Sequence, residues 1–486
     1  MINEFVLASP LITISVLSIL LLMVDAFIRN KNVVYWGSVF FLLAFIGVSA
    51  YALSICPADS VYIKETYAGE HLSFGVLPYV FDILFGIAGL IAVLSAKEYN
   101  GKAYKNFNEF YSLILLSMVG MVVISHSNSL LMIFLGIELM SIVFYVLAGF
   151  FRDKLSSIEA GLKYFFLGSF ASAFLLLGIA FLYGSSGSIY FNHISHAFQT
   201  GAVVPVYYNI GMALLIIGFA FKVAAFPLHQ WAPDVYYGSP TISAGFLSTA
   251  GKVAALAGLV VVFKNFALYY SPTQELTHTT FLSREILAYI SAATMLIGNI
   301  TALSQTNVKR MLAYSSVAHA GYLLMGIVAN SAEGYSAVAY YSMAYIFMQA
   351  GAFAILSVLE NKEGDNLDFE NFKNLRATHP VLAAIMTCFM LSLAGIPPFG
   401  GFFGKYFLFI SAMEAGFVWL TIVAVIASII SMYFYIKLIL NMYFKQNDTP
   451  IGEVAIHNTK IAIAICIIGI IAIGVYPNLF NNLLIR

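Results

Sequence analysis

The sequence predicts an all-α polytopic membrane protein with about fourteen transmembrane helices. Of its 486 residues, 61% are apolar and only 9% are charged, whereas about a quarter of the residues in a soluble domain carry a charge. The apolar residues form long runs separated by short polar breaks. Because about 20 apolar residues cross a hydrocarbon core, and because lipid offers the backbone no hydrogen-bond partner, each run is predicted to be a helix.

The limits of the spans follow from the apolar runs, and Lys and Arg in the loops set their orientation. The predicted spans are residues 6–28, 33–55, 76–96, 109–126, 128–151, 158–184, 205–226, 240–263, 285–303, 310–329, 335–359, 379–413, 417–443 and 458–480. One set of alternate loops contains Arg29, Lys31, Lys97, Lys102, Lys105, Arg152, Lys154, Lys309, Arg310, Lys362, Lys373, Arg376, Lys445 and Lys460. The opposite set contains Lys64, Lys264, Arg284 and Arg486. Both termini are therefore predicted to lie on the outer side of the membrane.

The composition argues against several classes of function. Acidic and basic residues balance at 23 each, so the net charge does not indicate a nucleic-acid partner. Cys56, Cys388 and Cys466 are far apart and lack the spacing of a metal site or of a disulfide framework. The sequence contains no phosphate-binding loop and no dinucleotide fingerprint after a strand. We therefore expect no cofactor, metal or redox centre in this chain.

Two segments are too long for one simple crossing, and each contains a helix-breaking sequence. Residues 205–236 contain Ala224–Pro227, and residues 379–413 contain Gly395–Gly401 with two adjacent prolines. Broken helices at corresponding positions of two halves are typical of transporters built from repeats. Because the breaks lie in spans seven and twelve, an odd number apart, spans 4–8 and 9–13 are predicted to form two inverted five-helix repeats. The alternative is that proline and glycine are simply common in membrane helices.

This layout predicts a division of the chain into four parts. They are residues 1–108 with spans 1–3, residues 109–263 as the first five-helix repeat, residues 285–443 as the second, and residues 444–486 with the last span.

A small set of ionisable side chains falls inside the predicted spans. The set is Glu138, Lys163, Lys222, Lys252, Lys405 and Lys437, together with His319. A charge at the bilayer centre costs at least ~2.5–3.5 kcal/mol, so such residues are expected to face the bundle interior. Burial disfavours the charged form of lysine, so a buried lysine can accept and release protons near neutral pH, whereas arginine stays charged. The sequence therefore predicts a proton-conducting path through lysines.

Four residues carry this prediction most directly. Glu138 on span five and Lys222 just before the first break form a predicted ion pair, for which a static pair that only holds helices together is the alternative. Lys252 lies near the middle of span eight, too far from either end for its side chain to reach the surface. Lys405 directly follows the second break.

Three further residues leave two interpretations open. Lys163 lies near the inner end of span six, where it either joins the path or extends to the surface. Lys437 lies two turns before the inner end of span thirteen, and extension to the surface is favoured there. His319 is either a proton relay or a hydrogen-bonded interior histidine.

Three segments resemble the antiporter-like membrane subunits of respiratory complex I, the proton-translocating NADH:quinone oxidoreductase. They are Phe221–Thr241, which contains Pro-Asp-Val-Tyr-x-Gly-x-Pro, together with Asn307–Ser316 and Gly395–Lys405. The resemblance covers nearly the whole chain, most strongly residues 110–440. It implies two inverted five-helix repeats, with a Glu–Lys pair that falls on Glu138 and Lys222, a central lysine on Lys252 and a terminal lysine on Lys405. It leaves the link between the half-channels to His319, hydroxyl groups or water.

The resemblance also implies partners and a reaction that occurs elsewhere. The expected partners are the lipid bilayer and other membrane subunits of complex I, including neighbouring antiporter-like subunits and small membrane subunits. FMN, iron–sulfur clusters and quinone are expected in partner subunits, where NADH oxidation and quinone reduction would drive proton pumping through this chain. The alternatives are a subunit of a multi-subunit cation/proton antiporter and a non-conducting scaffold. The Pro-Asp-Val-Tyr-x-Gly-x-Pro form favours complex I over the antiporter.

Overall fold

The computed structural model describes residues 4–28, 30–56, 71–103, 108–267, 277–360, 366–446 and 456–478. Several loop residues that set the predicted orientation lie outside these ranges, namely Arg29, Lys64, Lys105, Lys362 and Arg486. The predicted positions of the termini likewise rest on residues outside the described ranges.

Helices account for nearly all of the described chain, and its β-structure is limited to isolated bridges. The helices are α1 (Glu4–Leu7), α2 (Ser9–Phe27), α3 (Lys31–Ile55), α4 (Val76–Ala103), α5 (Asn108–Ser125), α6 (Leu130–Ala148), α7 (Leu155–Ser186), α8 (Phe191–Gln199), α9 (Pro205–Lys222), α10 (Trp231–Gly238), α11 (Thr241–Phe246), α12 (Lys252–Ala267), α13 (Thr277–Leu303), α14 (Val308–Ala329), α15 (Ala332–Tyr345), α16 (Gly351–Leu359), α17 (Leu375–Thr378), α18 (Pro380–Ala394), α19 (Gly400–Glu414), α20 (Val418–Phe444) and α21 (Thr459–Val475). Two wide π turns, Leu247–Gly251 and Ile346–Ala350, join α11 to α12 and α15 to α16. The prediction of an all-helical membrane protein is therefore confirmed.

Each predicted span falls on a helix, but not every helix is long enough to cross a bilayer by itself. Among the described residues, 12 continuous helices have the length and hydropathy of a membrane span. The predicted span 458–480 corresponds to the shorter apolar helix Thr459–Val475. The predicted span 379–413 is divided between two short helices, Pro380–Ala394 and Gly400–Glu414. The total of fourteen crossings, the inverted repeats and the four-part division stay predictions.

The two predicted breaks are present, and each separates a pair of helices. The first lies between Lys222, the last residue of α9, and Trp231, the first residue of α10. The second lies between Ala394 and Gly400, and Gly395 adopts a φ of 83° there. A positive φ favours glycine, because it has no Cβ. Helical hydrogen bonding is interrupted at both breaks, so carbonyl groups near the ends of α9 and α18 are available to other donors.

The core of the fold consists of three spans that the other helices surround. The most apolar stretches of Thr241–Phe266, Val308–Ala329 and Ala332–Leu359 are each 94% buried, compared with 22% for Ser9–Phe27. A membrane helix buried on all sides contacts other helices instead of lipid, so its polar side chains can be satisfied within the protein. These three spans carry Lys252, His319 and several buried tyrosines.

Helix α21 is held against α4 by one carboxylate. Glu98 on α4 accepts hydrogen bonds from the backbone and side-chain nitrogens of Asn458 and from the backbone nitrogen and hydroxyl group of Thr459. The bond from the Thr459 nitrogen is 2.8 Å long. Because the first turn of a helix has unpaired N–H groups, this carboxylate caps α21 and fixes its position beside α4.

Candidate functional site

The predicted Glu138–Lys222 pair is present between α6 and α9. The Lys222 ammonium donates a 2.8 Å hydrogen bond to the Ser141 hydroxyl and lies 3.9 Å from a carboxylate oxygen of Glu138. Ser141 is one helical turn after Glu138, so both face the same side of α6. The same Glu138 oxygen accepts a hydrogen bond from Ser172 on α7. The Lys222 side chain is 2% exposed and that of Glu138 is 28% exposed, so the pair extends from the interior towards the surface of the chain.

Lys252 lies in the most deeply buried span, directly after the first π turn. Its ammonium donates to the backbone carbonyl oxygen of Ser316 and, over 3.0 Å, to the Ser316 hydroxyl on α14. Lys252 is only 1% exposed. No carboxylate in the described ranges lies within ion-pair distance of it. An ammonium held only by neutral oxygens is less well compensated for its lost hydration than the ammonium of an ion-paired lysine.

His319, one turn after Ser316 on α14, is surrounded by tyrosines. Its Nδ1 forms a 2.6 Å hydrogen bond with the Tyr341 hydroxyl, and its Nε2 forms a 3.1 Å hydrogen bond with the Tyr435 hydroxyl. Tyr435 also hydrogen bonds with Ser315. Both nitrogens of the imidazole therefore have hydroxyl partners that can donate or accept, as a relay requires.

Lys405 is hydrogen-bonded to the end of α18, the helix that precedes the second break. Its ammonium donates to the carbonyl oxygens of Leu393 and Ala394 over 3.1 Å each and to the Ser428 hydroxyl over 2.9 Å. The two carbonyls belong to the last turn of α18, where the helix dipole favours a cation. The ammonium also lies 4.9 Å from the centre of the Tyr322 ring.

One face of α14 connects the surroundings of Lys252 with those of Lys405. Ser316, His319 and Tyr322 are three residues apart, so they follow one another along the same side of the helix. Ser316 contacts Lys252, and Tyr322 lies beneath Lys405. The ring centres of His319 and Tyr322 are 5.8 Å apart. The structure thus brings two of the predicted lysines and His319 into one buried polar stripe.

Other predicted residues are not joined to this stripe by direct contacts. Between Lys222 and Lys252, the Phe144 ring packs against Gly251, and no chain of hydrogen bonds among the described side chains spans the gap. Lys163 lies at the surface, where its ammonium is 2.7 Å from Glu159 and 3.2 Å from Asp234. The participation of Lys163 in a path with the buried lysines stays a prediction.

The buried tyrosines around His319 are not among the residues that the sequence predicted. Tyr322, Tyr341, Tyr345 and Tyr435 are each at most 1% exposed and lie around His319. Their sequence signal was available, because a tyrosine hydroxyl deep in a membrane span needs a polar partner. Among the residues that the structure describes, no three or more His, Cys, Asp and Glu side chains group as metal ligands would.

Comparison with known proteins gives consistent relatives over the whole chain. Residues 127–431 match the family described as NADH:quinone oxidoreductase/Mrp antiporter, TM. The chain is 40% identical over 483 residues to NADH-quinone oxidoreductase subunit N 1 of Chloroherpeton thalassium, covering 99% of this chain and 97% of that protein. It is 37% identical over 486 residues to NADH-quinone oxidoreductase subunit N of Trichlorobacter lovleyi, covering 98% and 94%.

Two solved structures are similar along nearly the full length. A chain of respiratory complex I from Thermus thermophilus with bound aureothin superposes with a TM-score of 0.80 at 29% identity, covering 97% of this chain and 98% of that one. A chain of the Mrp complex from Dietzia sp. DQ12-45-1b superposes with a TM-score of 0.85 at 20% identity, covering 98% and 96%. The second likeness concerns the fold alone.

Proposed function

The chain belongs to the NADH:quinone oxidoreductase/Mrp antiporter transmembrane family, and from this premise we propose that it carries protons across the membrane through its buried lysines. It is an antiporter-like membrane subunit of complex I, as its relatives named NADH-quinone oxidoreductase subunit N indicate. NADH oxidation and quinone reduction, with the FMN and iron–sulfur clusters that they use, belong to partner subunits in this proposal. The protein partners are neighbouring antiporter-like and small membrane subunits.

The single observation that carries the proposal is the polar stripe between Lys252 and Lys405. When Lys252 gives up a proton, the Ser316 hydroxyl beside it can rotate and pass the proton on. His319 can then accept a proton at one nitrogen and release one at the other, with the hydroxyls of Tyr341 and Tyr435 as neighbours. Once Lys405 has released its own proton on the far side, its amine receives the proton from His319 and its neighbours and holds it against the carbonyls at the end of α18.

The Glu138–Lys222 pair provides the electrostatic control in this proposal. At 3.9 Å the two charges partly cancel each other for more distant groups. If the pair opens, the positive charge of Lys222 acts on Lys252 and favours release of its proton. The 28% exposure of the Glu138 side chain lets a neighbouring subunit reach the pair. Through this contact, events in other subunits are transmitted to Lys252.

The membrane arrangement forms a separate part of the proposal. The chain crosses a bacterial inner membrane many times, and we propose fourteen crossings with both termini on the periplasmic side. The two broken helices, α9 with α10 and α18 with α19, support two inverted repeats built from spans 4–8 and 9–13. The excess of Lys and Arg in one set of loops supports the orientation.

The Tyr435→Phe variant tests the stripe. The substitution keeps the ring but removes the hydroxyl that bonds His319 and Ser315, so we expect a stability loss of about 1–3 kcal/mol and slower proton transfer to Lys405. Thermal unfolding and the proton-to-electron ratio of the purified complex measure the two effects. Tyr433→Phe, two residues away and 64% exposed, is the matched control. Equal ratios in the two variants would remove Tyr435 from the path.

Purification of the native assembly tests the assignment to complex I. An affinity-tagged chain, solubilised in mild detergent, is expected to copurify with subunits that oxidise NADH and reduce a soluble quinone. The cation/proton antiporter alternative predicts copurification with small antiporter subunits and no NADH oxidation. A tagged multi-span protein of unrelated family controls for unspecific association. Recovery of the antiporter subunits alone would contradict the proposal.

A further inference from the structure

We propose that Glu360, together with Tyr99 and Lys309, is the site at which protons from the inner side join the path to Lys252. This inference rests on the proposed function and specifies where its protons are taken up. None of these three residues belongs to the predicted lysine path, and all three are buried although they lie at the ends of helices.

Glu360 is a buried carboxylate with an unused acceptor. It directly follows α16, and its backbone nitrogen donates a 2.8 Å hydrogen bond to the Leu356 carbonyl. The residue is only 7% exposed, and its Oε2 atom is buried without a hydrogen-bond partner. Buried polar atoms are nearly always paired, so an unpaired carboxylate oxygen requires an explanation. A free lone pair on a carboxylate is what a proton acceptor needs.

A phenol is hydrogen-bonded to this carboxylate, and an ammonium lies within electrostatic range of it. The Tyr99 hydroxyl on α4 hydrogen bonds with the Glu360 side chain and accepts a 3.3 Å hydrogen bond from the backbone nitrogen of Thr241. Lys309 is 4% exposed, interacts electrostatically with Glu360 and donates a 2.7 Å hydrogen bond to the Ser239 carbonyl. Lys154 also acts on Lys309 at this end of the bundle. These groups gather around the first turn of α11.

Polar groups continue from this turn towards Lys252 along the same span. The Ser243 hydroxyl is buried and has no hydrogen-bond partner, and the Thr241 side chain lies within hydrogen-bonding reach of the Tyr99 hydroxyl. A cavity of about 10 Å³ lies between α4, α11 and α16, and its otherwise apolar lining includes Ser95 and Thr249, whose hydroxyls donate to the carbonyls of Ile91 and Gly245. That volume is about the minimum that one water molecule requires. Thr249 belongs to the π turn that precedes Lys252, and π turns within α-helices are frequent at functional sites.

A purely structural cluster is the competing explanation. In that case Glu360 would only neutralise Lys309 and hold α4, α11, α14 and α16 together. Such a role explains the burial of the charges, but it does not account for the unpaired carboxylate oxygen of Glu360 or for the unpaired hydroxyl of Ser243. The experiment must therefore separate loss of stability from loss of proton uptake.

The test uses the intact complex in proteoliposomes with Glu360→Gln, Glu360→Asp and Glu360→Ala. Glu360→Gln keeps the shape but cannot carry a proton, so we expect coupled proton uptake to fall on the order of tenfold or more, since a proton-transfer group contributes roughly 10²–10⁴-fold to its step. Glu360→Asp is expected to retain most of the uptake. Sodium formate, the salt of a small weak acid, supplies a carboxylate that can carry a proton. It is expected to restore part of the uptake in Glu360→Ala. Glu333→Gln, at the exposed opposite end of the same span, is the control.

The outcomes separate this inference from the proposed function. Normal uptake in Glu360→Gln, or a loss in Glu360→Ala that formate does not relieve, would assign Glu360 a structural role and overturn the inference. Lys252→Met is measured in parallel. If that variant loses proton transfer while Glu360→Gln does not, the uptake site is wrong and the lysine path stands. If Lys252→Met transfers protons normally, the lysine path itself fails.

Discussion

Replacing Lys252 with methionine is expected to give an assembled complex in which proton transfer through this chain falls on the order of 10²-fold or more. Methionine has a similar length but no exchangeable proton, so the link to Ser316 is lost. The stability change is expected to be small, because the Ser316 oxygens lose a donor while the protein no longer buries an ammonium. Replacing a buried charge with an apolar side chain is often neutral or stabilising.

The proton-to-electron ratio of the reconstituted complex measures this effect. The rate of NADH oxidation, measured after the membrane is made permeable to protons, shows whether the electron-transfer subunits remain intact. Lys264→Met, in the last turn of the same helix, is the matched control. A Lys252→Met complex with the wild-type ratio would end the proposal that buried lysines conduct protons and would favour a non-conducting scaffold.

The second large effect is expected when the Glu138–Lys222 pair is disrupted by substitution. Lys222→Met removes the buried ammonium and leaves Glu138 with the Ser172 hydroxyl as its remaining partner in the described structure. We expect the proton-to-electron ratio to fall nearly as far as in Lys252→Met. Without the Lys222 ammonium, opening of the pair no longer changes the positive charge that acts on Lys252. Glu138→Gln is expected to act in the same direction, since Lys222 then keeps only its bond to Ser141.

A double-mutant cycle separates control from static stabilisation. Because the charges are 3.9 Å apart and Glu138 is partly exposed, we expect a coupling energy on the order of 1 kcal/mol in thermal unfolding. The double variant should transfer protons no better than either single variant. Lys437→Met controls for the loss of a lysine, because the Lys437 ammonium lies 4.7 Å from the Phe369 ring near the C-terminal end of α20. Normal transfer in the double variant would leave the pair with only a structural role.

The surface cluster around Lys163 illustrates why one sequence prediction stayed open. Span six places Lys163 near an end, and a lysine there can point inward or outward. Its orientation depends on Asp234, 71 residues further along the chain, which also contacts Arg310 at 3.2 Å. Only the packing of α10 against α7 and α14 brings these charges together, and no local pattern specifies that packing.

The sequence by itself determined that the chain is a bundle of membrane helices with two breaks and that charged groups lie deep within it. Hydropathy determines where a segment is stable, and proline or glycine determines where a helix ends, so both are properties of short segments. The Glu138–Lys222 pair was also predicted, because a charge buried in lipid demands a partner.

The tertiary structure alone decided which neutral groups surround those charges. Ser316 reaches Lys252 across 64 residues of sequence, and Tyr435 reaches His319 across 116. Serine and tyrosine occur throughout the chain, and the sequence around each one does not show which distant group it contacts. Their partners are decided by how distant helices pack. The same holds for Glu360, which the sequence places only at the end of a span and which the packing of four helices encloses. Burial within the folded bundle, and not residue type, turns these ordinary hydroxyl and carboxyl groups into parts of a connected polar interior.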